Sequence, residues 1–169
     1  MTRQQTESYP DQPDALIDHI VQRYNDTYRR ELPELAKLAE EVERLHAAHP
    51  QAPVGLAATL VDMARELELH LEKEETILFP MMKRAWKDPA TAHAIALMLL
   101  EHDDHGDWLD ELARITRDGA MPADACGSWR RLYAGVNKLR DDLTQHIYLE
   151  NHVLFPQFAM DSASAARSA

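Results

Sequence analysis

Residues 56–81, LAATLVDMARELELHLEKEETILFPM, decide the predicted fold. Positions spaced alternately by four and three residues in this stretch form a nearly apolar series. The series is Leu56, Leu60, Met63, Leu67, His70, Glu74, Ile77 and Met81. This alternation is typical of a helix face that packs in the core of a helical bundle. The face is therefore predicted to be buried, and His70 and Glu74 occupy positions on it where leucine is expected.

The same pattern returns 76 residues later in the chain. The segment His146-Ile-Tyr-Leu-Glu-Asn-His-Val-Leu-Phe-Pro156 keeps the His, Glu, Leu, Phe and Pro of His70-Leu-Glu-Lys-Glu-Glu-Thr-Ile-Leu-Phe-Pro80. Its surrounding series is Leu132, Val136, Leu139, Leu143, His146, Glu150 and Val153. The repeat predicts two helical hairpins, each with His-x-x-x-Glu on its second helix.

Four long helical patterns are separated by short breaks that contain proline, over about 13–48, 53–86, 89–117 and 122–158. Asp88-Pro89 predicts a capped helix start, and Asp118-Gly119 predicts a helix end. Pro33 is expected to bend the first helix without ending it. Because the connections are short, we predict an all-α fold, an up-down-up-down four-helix bundle over residues 13–160. Residues 1–12 are predicted to form a flexible N-terminal arm and residues 161–169 a flexible tail.

The composition argues against several classes of protein. Five Gly in 169 residues is low for a sheet protein with many tight turns, since average usage gives about 12. The formal net charge of −11 repels phosphate and argues against a nucleic-acid partner. One cysteine, Cys126, excludes an intrachain disulfide and fits a reducing cytosol. No apolar run is long enough to span a membrane, so we expect a cytoplasmic protein with no membrane partner.

The two His-x-x-x-Glu pairs predict a metal site. A His and a Glu four residues apart lie one turn apart on the same helix face. Burying two unpaired carboxylates in one core costs several kcal/mol, and one or two dications remove that cost. Imidazole and carboxylate together suit iron, zinc or manganese, and two carboxylates that can bridge favour a dinuclear centre.

The first and third helices each add a His preceded by an acid, in Asp18-His19 and Glu101-His102. The predicted metal ligands are His19, His70, Glu74, His102, His146 and Glu150. With an oxo or hydroxo bridge, each metal receives five donors, and an octahedral iron keeps one open position for a small ligand. His19 has the weakest support, because it lies at the edge of the apolar stripe Ile17, Ile20, Tyr24, Tyr28, Leu32 and Leu35.

Other polar residues allow more than one interpretation. His105 faces the same seam as His102 and is interpreted as a further ligand, a residue that orients a ligand, or part of the wall. Glu66 and Glu101 are candidates for orienting ligands or holding a proton, or are solvated surface acids. The alternative for the whole set is a metal-free bundle with buried His–Glu hydrogen bonds.

The remaining His, Trp and Cys residues give no pattern that indicates a site. His46, His49, His93 and His152 are predicted to be surface residues, and Trp86, Trp108 and Trp129 to pack or form an interface. Cys126 lies at the start of the fourth helix and is interpreted as a reactive thiol or an inert, partly buried one.

The chain resembles the hemerythrin-type HHE cation-binding family, and within it the branch of iron–sulfur cluster repair di-iron proteins (repair of iron centres). The resemblance covers about 14–158. The segments that carry it are Leu16-Ile-Asp-His-Ile20, Glu31-Leu-Pro-Glu-Leu35, Val42-Glu-Arg-Leu-His46, the repeated segments 70–80 and 146–156, Glu101-His-Asp103 with Gly106, and Ala125-Cys126 with Trp129.

The resemblance implies a non-haem centre of two iron ions held by the six predicted ligands, with Glu74 and Glu150 as bridging carboxylates. It implies a role in nitrosative and oxidative stress, by binding nitric oxide (NO) or by supplying iron to damaged iron–sulfur proteins. Two alternatives remain, a reversible carrier or sensor of O₂ or NO and an enzyme that reduces NO to N₂O.

Three features depart from the family's pattern. Full-length members carry an N-terminal domain with a cysteine pair, whereas this chain begins directly at the bundle, and the domain is expected to be lacking here. Asn25 stands where the family often has His, and His105 stands where small residues are common. The surroundings of the centre are therefore expected to differ from those of other members.

Overall fold

A computed structural model describes residues 8–84 and 88–158 and shows four long helices. Helix α1 comprises Pro13–Ile20, Val21–Asn25 and Asp26–Leu45, and helix α2 comprises Leu56–Lys73, Glu74–Leu78 and Phe79–Arg84. Helix α3 is Pro89–Thr116, followed by a 3₁₀ turn at Arg117–Gly119, and helix α4 comprises Gly127–Tyr148, Leu149–Leu154 and Phe155–Phe158. The described residues contain no strand, and the predicted all-α four-helix bundle is confirmed.

Two predicted helix ends are confirmed by their local contacts. The side chain of Asp88 accepts a hydrogen bond from the backbone N–H of Ala90 at 2.9 Å, which caps α3. Arg117, Asp118 and Gly119 have φ values of 51°, 53° and 79°, and this left-handed backbone ends α3. Pro33 lies inside α1, which continues through it.

Three other boundaries differ from the predictions. Helix α1 ends at Leu45 instead of Ala48, and α4 begins at Gly127 instead of Pro122. Helix α2 begins at Leu56 instead of Pro53, because Gly55 has a left-handed φ of 91°. The carboxylate of Glu43 accepts hydrogen bonds from the N–H groups of Gly55 and Ala57, at 3.2 and 2.7 Å. A side chain of α1 therefore caps α2. The predicted end of the second helix at Trp86, residues 1–7 of the predicted arm and the tail 161–169 lie outside the described residues.

The middle segments of α1, α2 and α4 are π-helical, at Val21–Asn25, Glu74–Leu78 and Leu149–Leu154. A π-turn closes its hydrogen bond one residue later than an α-turn and shifts the buried face by one position. The predicted burial of Ile77 is therefore wrong, since Ile77 is 54% exposed, and Met81 is only half-buried. Leu78 and Met82 are buried in their place. In α4, Leu154 is buried and Val153 is only half-buried, for the same reason.

The apolar core occupies the centre of the bundle along its whole length. Its largest fully enclosed side chains include Trp129, Tyr24, Tyr28, Tyr133 and Phe158. The other members of the predicted seams before the π segments, from Leu56 to Leu67 and from Leu132 to Leu143, are buried as predicted. No helix among the described residues is long and apolar enough to cross a bilayer.

Two glycines inside helices predict opposite responses to alanine. Nothing lies within 4 Å of a Cβ built at Gly106, so Gly106→Ala is expected to raise the free energy of unfolding by about 0.5–1 kcal/mol through helix propensity. A Cβ at Gly135 overlaps Cδ1 of Leu35, where α4 meets α1. Gly135→Ala is therefore expected to give no gain, because overpacking offsets propensity. Urea unfolding measures both, and equal gains would contradict the close approach of α4 to α1.

Candidate metal centre

Four donor side chains from three helices converge in the middle of the bundle. They are His70 and Glu74 of α2, His102 of α3 and Glu150 of α4, and one ligand atom from each lies within 4.8 Å of the others. Their side chains are at most 3% exposed. His146, one turn before Glu150, places Nε2 3.2 Å from Oε1 of that carboxylate and is also buried. The structure thus brings five of the six predicted ligands together.

The donor atoms of this cluster lie close together without hydrogen bonds. Nε2 lies 2.9 Å from a carboxylate oxygen for His70 and 3.1 Å for His102. Within the described part of the chain, however, the carboxylate oxygens of Glu74 and Glu150 accept no hydrogen bond, because the N–H directions do not meet hydrogen-bond geometry. Two ligand atoms that each lie about 2.1 Å from a cation, at right angles to each other, are about 3.0 Å apart. The observed separations therefore suit ligands of one metal ion. The residues therefore fit a bound metal.

The outer nitrogens of two imidazoles are held by neighbouring helices. Nδ1 of His70 donates to Oε2 of Glu101 at 2.8 Å, and Glu101 also accepts from Nζ of Lys73 at 2.6 Å. Nδ1 of His102 donates to Oδ1 of Asn151 at 2.6 Å. With the proton on Nδ1, each ring presents the Nε2 lone pair to the cluster, as in metal sites whose outer partners orient the ligands.

The structure separates the two acids considered for this orienting role. Glu101 contacts a ligand, but that ligand is His70 of the facing helix and not its neighbour His102. Glu66 is exposed and makes no hydrogen bond to the described residues. The sequence pattern did not identify Asn151 as a residue that orients a ligand. Its position directly after Glu150 in the repeated segment could have indicated this role.

The charges of the cluster compensate one another. Burial lowers the pKa of His102, but the carboxylates of Glu150 and Glu74 outweigh burial and raise it to about 10. Burial raises the pKa of Glu150, and His146 and His102 outweigh it, so the pKa falls well below its usual range. Without a metal, protons on the imidazoles balance the buried carboxylates. A metal ion displaces these protons, and its binding weakens as pH falls.

Helix α1 contributes aromatic rings and two buried donor atoms. Tyr24 stacks on His146, with ring centroids 5.1 Å apart, and Tyr28 stacks on the same ring at 5.7 Å. His19 is half-buried beside Tyr24 and is not among the converging donors, although its Nε2 is enclosed and has no hydrogen-bond partner in the described residues. Oδ1 of Asn25 is equally enclosed and unpartnered, while Nδ2 donates to Glu75 at 2.9 Å. Sequence reasoning did not single out these tyrosines as site residues, although they share the apolar stripe.

All three π segments lie beside the cluster. Glu74 is the first residue of one, Glu150 is the second residue of another, and Asn25 ends the third. Such insertions in α-helices are frequent at functional sites.

His105 lies beside the cluster and outside the group of converging donors. Its ring meets the edge of His70 at 4.5 Å and stacks on Trp108 at 5.2 Å. Burial and the charges of His70 and His102 lower the pKa of His105 to about 3, so the ring is neutral.

The predictions for the other His residues are confirmed for one pair and wrong for the other. His93 and His152 are exposed. His46 and His49 are half-buried and pack on Trp129, with ring centroids 4.8 and 5.2 Å away. Nε2 of His46 lies 3.1 Å from Sγ of Cys126, which is partly buried. These contacts form because the end of α1 packs on the start of α4.

Residues 16–158 match the family described as the hemerythrin HHE cation binding domain. The chain belongs to this family. It is similar to the iron–sulfur cluster repair protein YtfE of Salmonella schwarzengrund (strain CVM19633) and of Salmonella typhimurium (strain LT2), with 46% identity to each over 142 residues. The matches cover 84% of this chain and 64% of each relative, so the chain spans less than two thirds of the relatives' length. The resemblance stated from the motifs is confirmed, and the family together with the buried His/Glu cluster indicates metal binding.

The contact between Glu101 and His70 predicts a change in metal affinity. Glu101→Gln removes the charge that holds Nδ1 of His70 and is expected to weaken iron binding about 10- to 100-fold. Competition with a ferrous chelator measures the affinity. Glu72→Gln is the matched control, because Glu72 is an exposed glutamate of α2 whose carboxylate makes no hydrogen bond or ion pair with the described residues. Equal affinities for the two variants would contradict an orienting role for Glu101.

Proposed function

We propose that this hemerythrin HHE domain holds two iron ions and acts in the nitrosative and oxidative stress response. In this role it binds nitric oxide, supplies iron for the repair of damaged iron–sulfur clusters, or does both. The observation that carries the proposal is the pair of buried carboxylates, Glu74 and Glu150, which face imidazole nitrogens without hydrogen bonds. The names of the two relatives support the link to cluster repair. We place this activity in the reducing cytosol.

We propose His19, His70, His102 and His146 as nitrogen ligands and Glu74 and Glu150 as bridging carboxylates. This mixed set of nitrogen and oxygen donors suits iron, and two carboxylates on facing helices suit a dinuclear centre. When bound, the two iron ions supply an open coordination position for a diatomic ligand and electrons for redox chemistry.

The surrounding side chains favour an uncharged diatomic ligand. Tyr24 and Tyr28 cover one side of His146, and Phe155 stacks on His102 with ring centroids 5.9 Å apart. The rings help to enclose the converging donor residues, which are at most 4% exposed. Apolar surroundings favour an uncharged ligand such as NO or O₂ over a charged one.

The metal content of the purified protein tests the proposed centre. After anaerobic loading with iron, we expect two iron ions per chain and the charge-transfer bands of a bridged diferric centre in the oxidised protein. Zinc cannot produce such bands. Fewer than one iron per chain would overturn the proposal.

The repair role has a separate test. The iron-loaded protein is added to an iron–sulfur enzyme that NO has inactivated, beside an equal amount of free iron and beside the Glu74→Leu variant. We expect activity to return only with the iron-loaded wild-type protein. No recovery above the free-iron control would exclude repair by this chain alone.

Rapid mixing of the diferrous protein with NO separates the remaining roles. A reversible spectral change without gas release indicates a carrier or sensor. Release of N₂O indicates an enzyme that reduces NO.

A further inference from the structure

A thiol and an imidazole meet where the end of α1 packs on the start of α4, far from the metal cluster. Nε2 of His46 lies 3.1 Å from Sγ of Cys126, which is half-buried. An imidazole at this distance can accept the proton of a thiol, and the thiolate that results is the nucleophile. Along α4, Cys126 lies about 30 Å from His146 at the rise of an α-helix, so the pair is separate from the proposed iron ligands.

The first turn of α4 leaves backbone donors open beside the sulfur atom. Cys126 occupies the N-cap position with an extended backbone, and no side chain caps the helix. The N–H of Arg130 donates the first hydrogen bond of the helix to the carbonyl of Cys126. The N–H groups of residues 127–129 therefore have no partner within the helix. An N-cap side chain with an oxygen atom accepts from such groups, whereas sulfur is a weak acceptor.

Trp129 provides a second, independent indication that a ligand atom belongs here. It is fully buried, yet its indole N–H has no hydrogen-bond partner in the part of the chain that the structure describes. Side chains on a helix lean toward its N-terminal end, so the indole lies over the first turn of α4, and its ring centroid is 4.8 Å from that of His46. An enclosed donor without a partner costs free energy, and an oxygen atom held at the sulfur would provide that partner.

We propose that Cys126 is a modification site that hydrogen peroxide oxidises to a sulfenic acid. His46 accepts the proton of the thiol, and the thiolate attacks one oxygen of the peroxide. The S–O bond forms while the O–O bond breaks, and the leaving hydroxide takes the proton from His46 and departs as water. The electron pair that sulfur loses reduces the peroxide.

The start of α4 stabilises the product of this reaction. The added oxygen gives Cys126 the atom order of an aspartate, since Cβ–S–O replaces Cβ–C–O. Aspartate is among the best N-cap residues, so the oxidised side chain accepts from the open N–H groups, and the indole N–H of Trp129 is a further donor. Hydrogen peroxide suits this half-buried sulfur because it is small and uncharged, whereas the net charge of −11 repels anionic oxidants.

Labelling with dimedone, which reacts with sulfenic acids, tests the site in the iron-loaded, oxidised protein. After limited exposure to hydrogen peroxide, we expect the label on Cys126 and a loss of its free thiol at least about tenfold faster than for glutathione. His46→Gln is expected to slow this loss at least about tenfold, because it removes the base. His49→Gln is the matched control and is expected to keep the wild-type rate. His49 packs on the same indole, but its Nε2 faces Asp124 at 3.4 Å.

Cys126→Asp tests whether the product fits. It is expected to raise the melting temperature by about 2–4 °C over the wild-type protein, whereas Cys126→Ala is expected to give no rise. No rise with Cys126→Asp would overturn the capping of α4 by the oxidised side chain.

An unlabelled Cys126 in the wild-type protein, or equal rates for His46→Gln and His49→Gln, would overturn the modification site. The labelling of the wild-type protein keeps the test decisive if His46→Gln does not fold. Failure of the protein to hold iron would count against the proposed function alone, because the reaction of Cys126 does not require iron.

Discussion

Glu74→Leu is expected to abolish binding of the iron pair and to lower the free energy of unfolding of the metal-free protein by about 3 kcal/mol, because it removes one partner of a buried charge cluster. Glu74 is fully buried, and both of its carboxylate oxygens lack hydrogen bonds in the described residues. Leucine takes away a proposed bridging ligand and leaves the imidazoles of His70 and His102 without a buried carboxylate that raises their pKa. Iron content after anaerobic loading and urea unfolding of the metal-free protein measure the two effects.

Glu72→Leu is the matched control for this prediction, because Glu72 is exposed two residues earlier in the same helix. It is expected to keep two iron ions and to change the stability by at most about 0.5 kcal/mol. A Glu74→Leu protein that still binds two iron ions would contradict the role of Glu74 as a bridging ligand. A gain of stability without metal would show that the cost of burying this carboxylate outweighs its contacts with His70 and His102.

Removal of iron is expected to lower the melting temperature of the wild-type protein by at least about 15 °C. A ligand present at a thousand times its Kd stabilises the folded state by about 4 kcal/mol, and the centre is proposed to hold two ions. For a chain of this length, 1 kcal/mol corresponds to about 2–4 °C. Calorimetry of the iron-loaded and chelator-treated protein measures the shift. The Glu74→Leu variant is expected to show no shift, and equal melting temperatures for the two wild-type samples would contradict a buried metal centre.

The sequence pattern predicted the bundle and the position of the cluster because both depend on local spacing. An α-helical period describes the buried seam correctly as far as His70 and Glu74 in α2, and as far as His146 and Glu150 in α4. The same period fails directly afterwards, at Ile77 and Val153. An α-helical period assumes a constant number of residues per turn, and only tertiary packing determines where a π-turn replaces an α-turn.

The polar contacts around the cluster could not be predicted in the same way. Asn151 and His102 are 49 residues apart, and His46 and Cys126 are 80 residues apart. Such pairs form only after particular helix faces have come together, and the period of one helix does not specify its partner. The burial of His19, in contrast, could be predicted from the sequence. It lies at the edge of the apolar stripe of the first helix, and it is half-buried in the structure.

The π segments have a consequence for comparisons between members of the family. Each is equivalent to one residue inserted into an α-helix, and an insertion rotates the following part of the helix by about 100°. A relative that lacks the insertion after the equivalent of Glu74 would bury the residue that corresponds to Ile77 in place of Leu78. Aligning the two chains correctly would then require a one-residue gap inside an unbroken helix, directly after the carboxylate. Beyond that gap, residues at equal distance from the carboxylate would not be structurally equivalent.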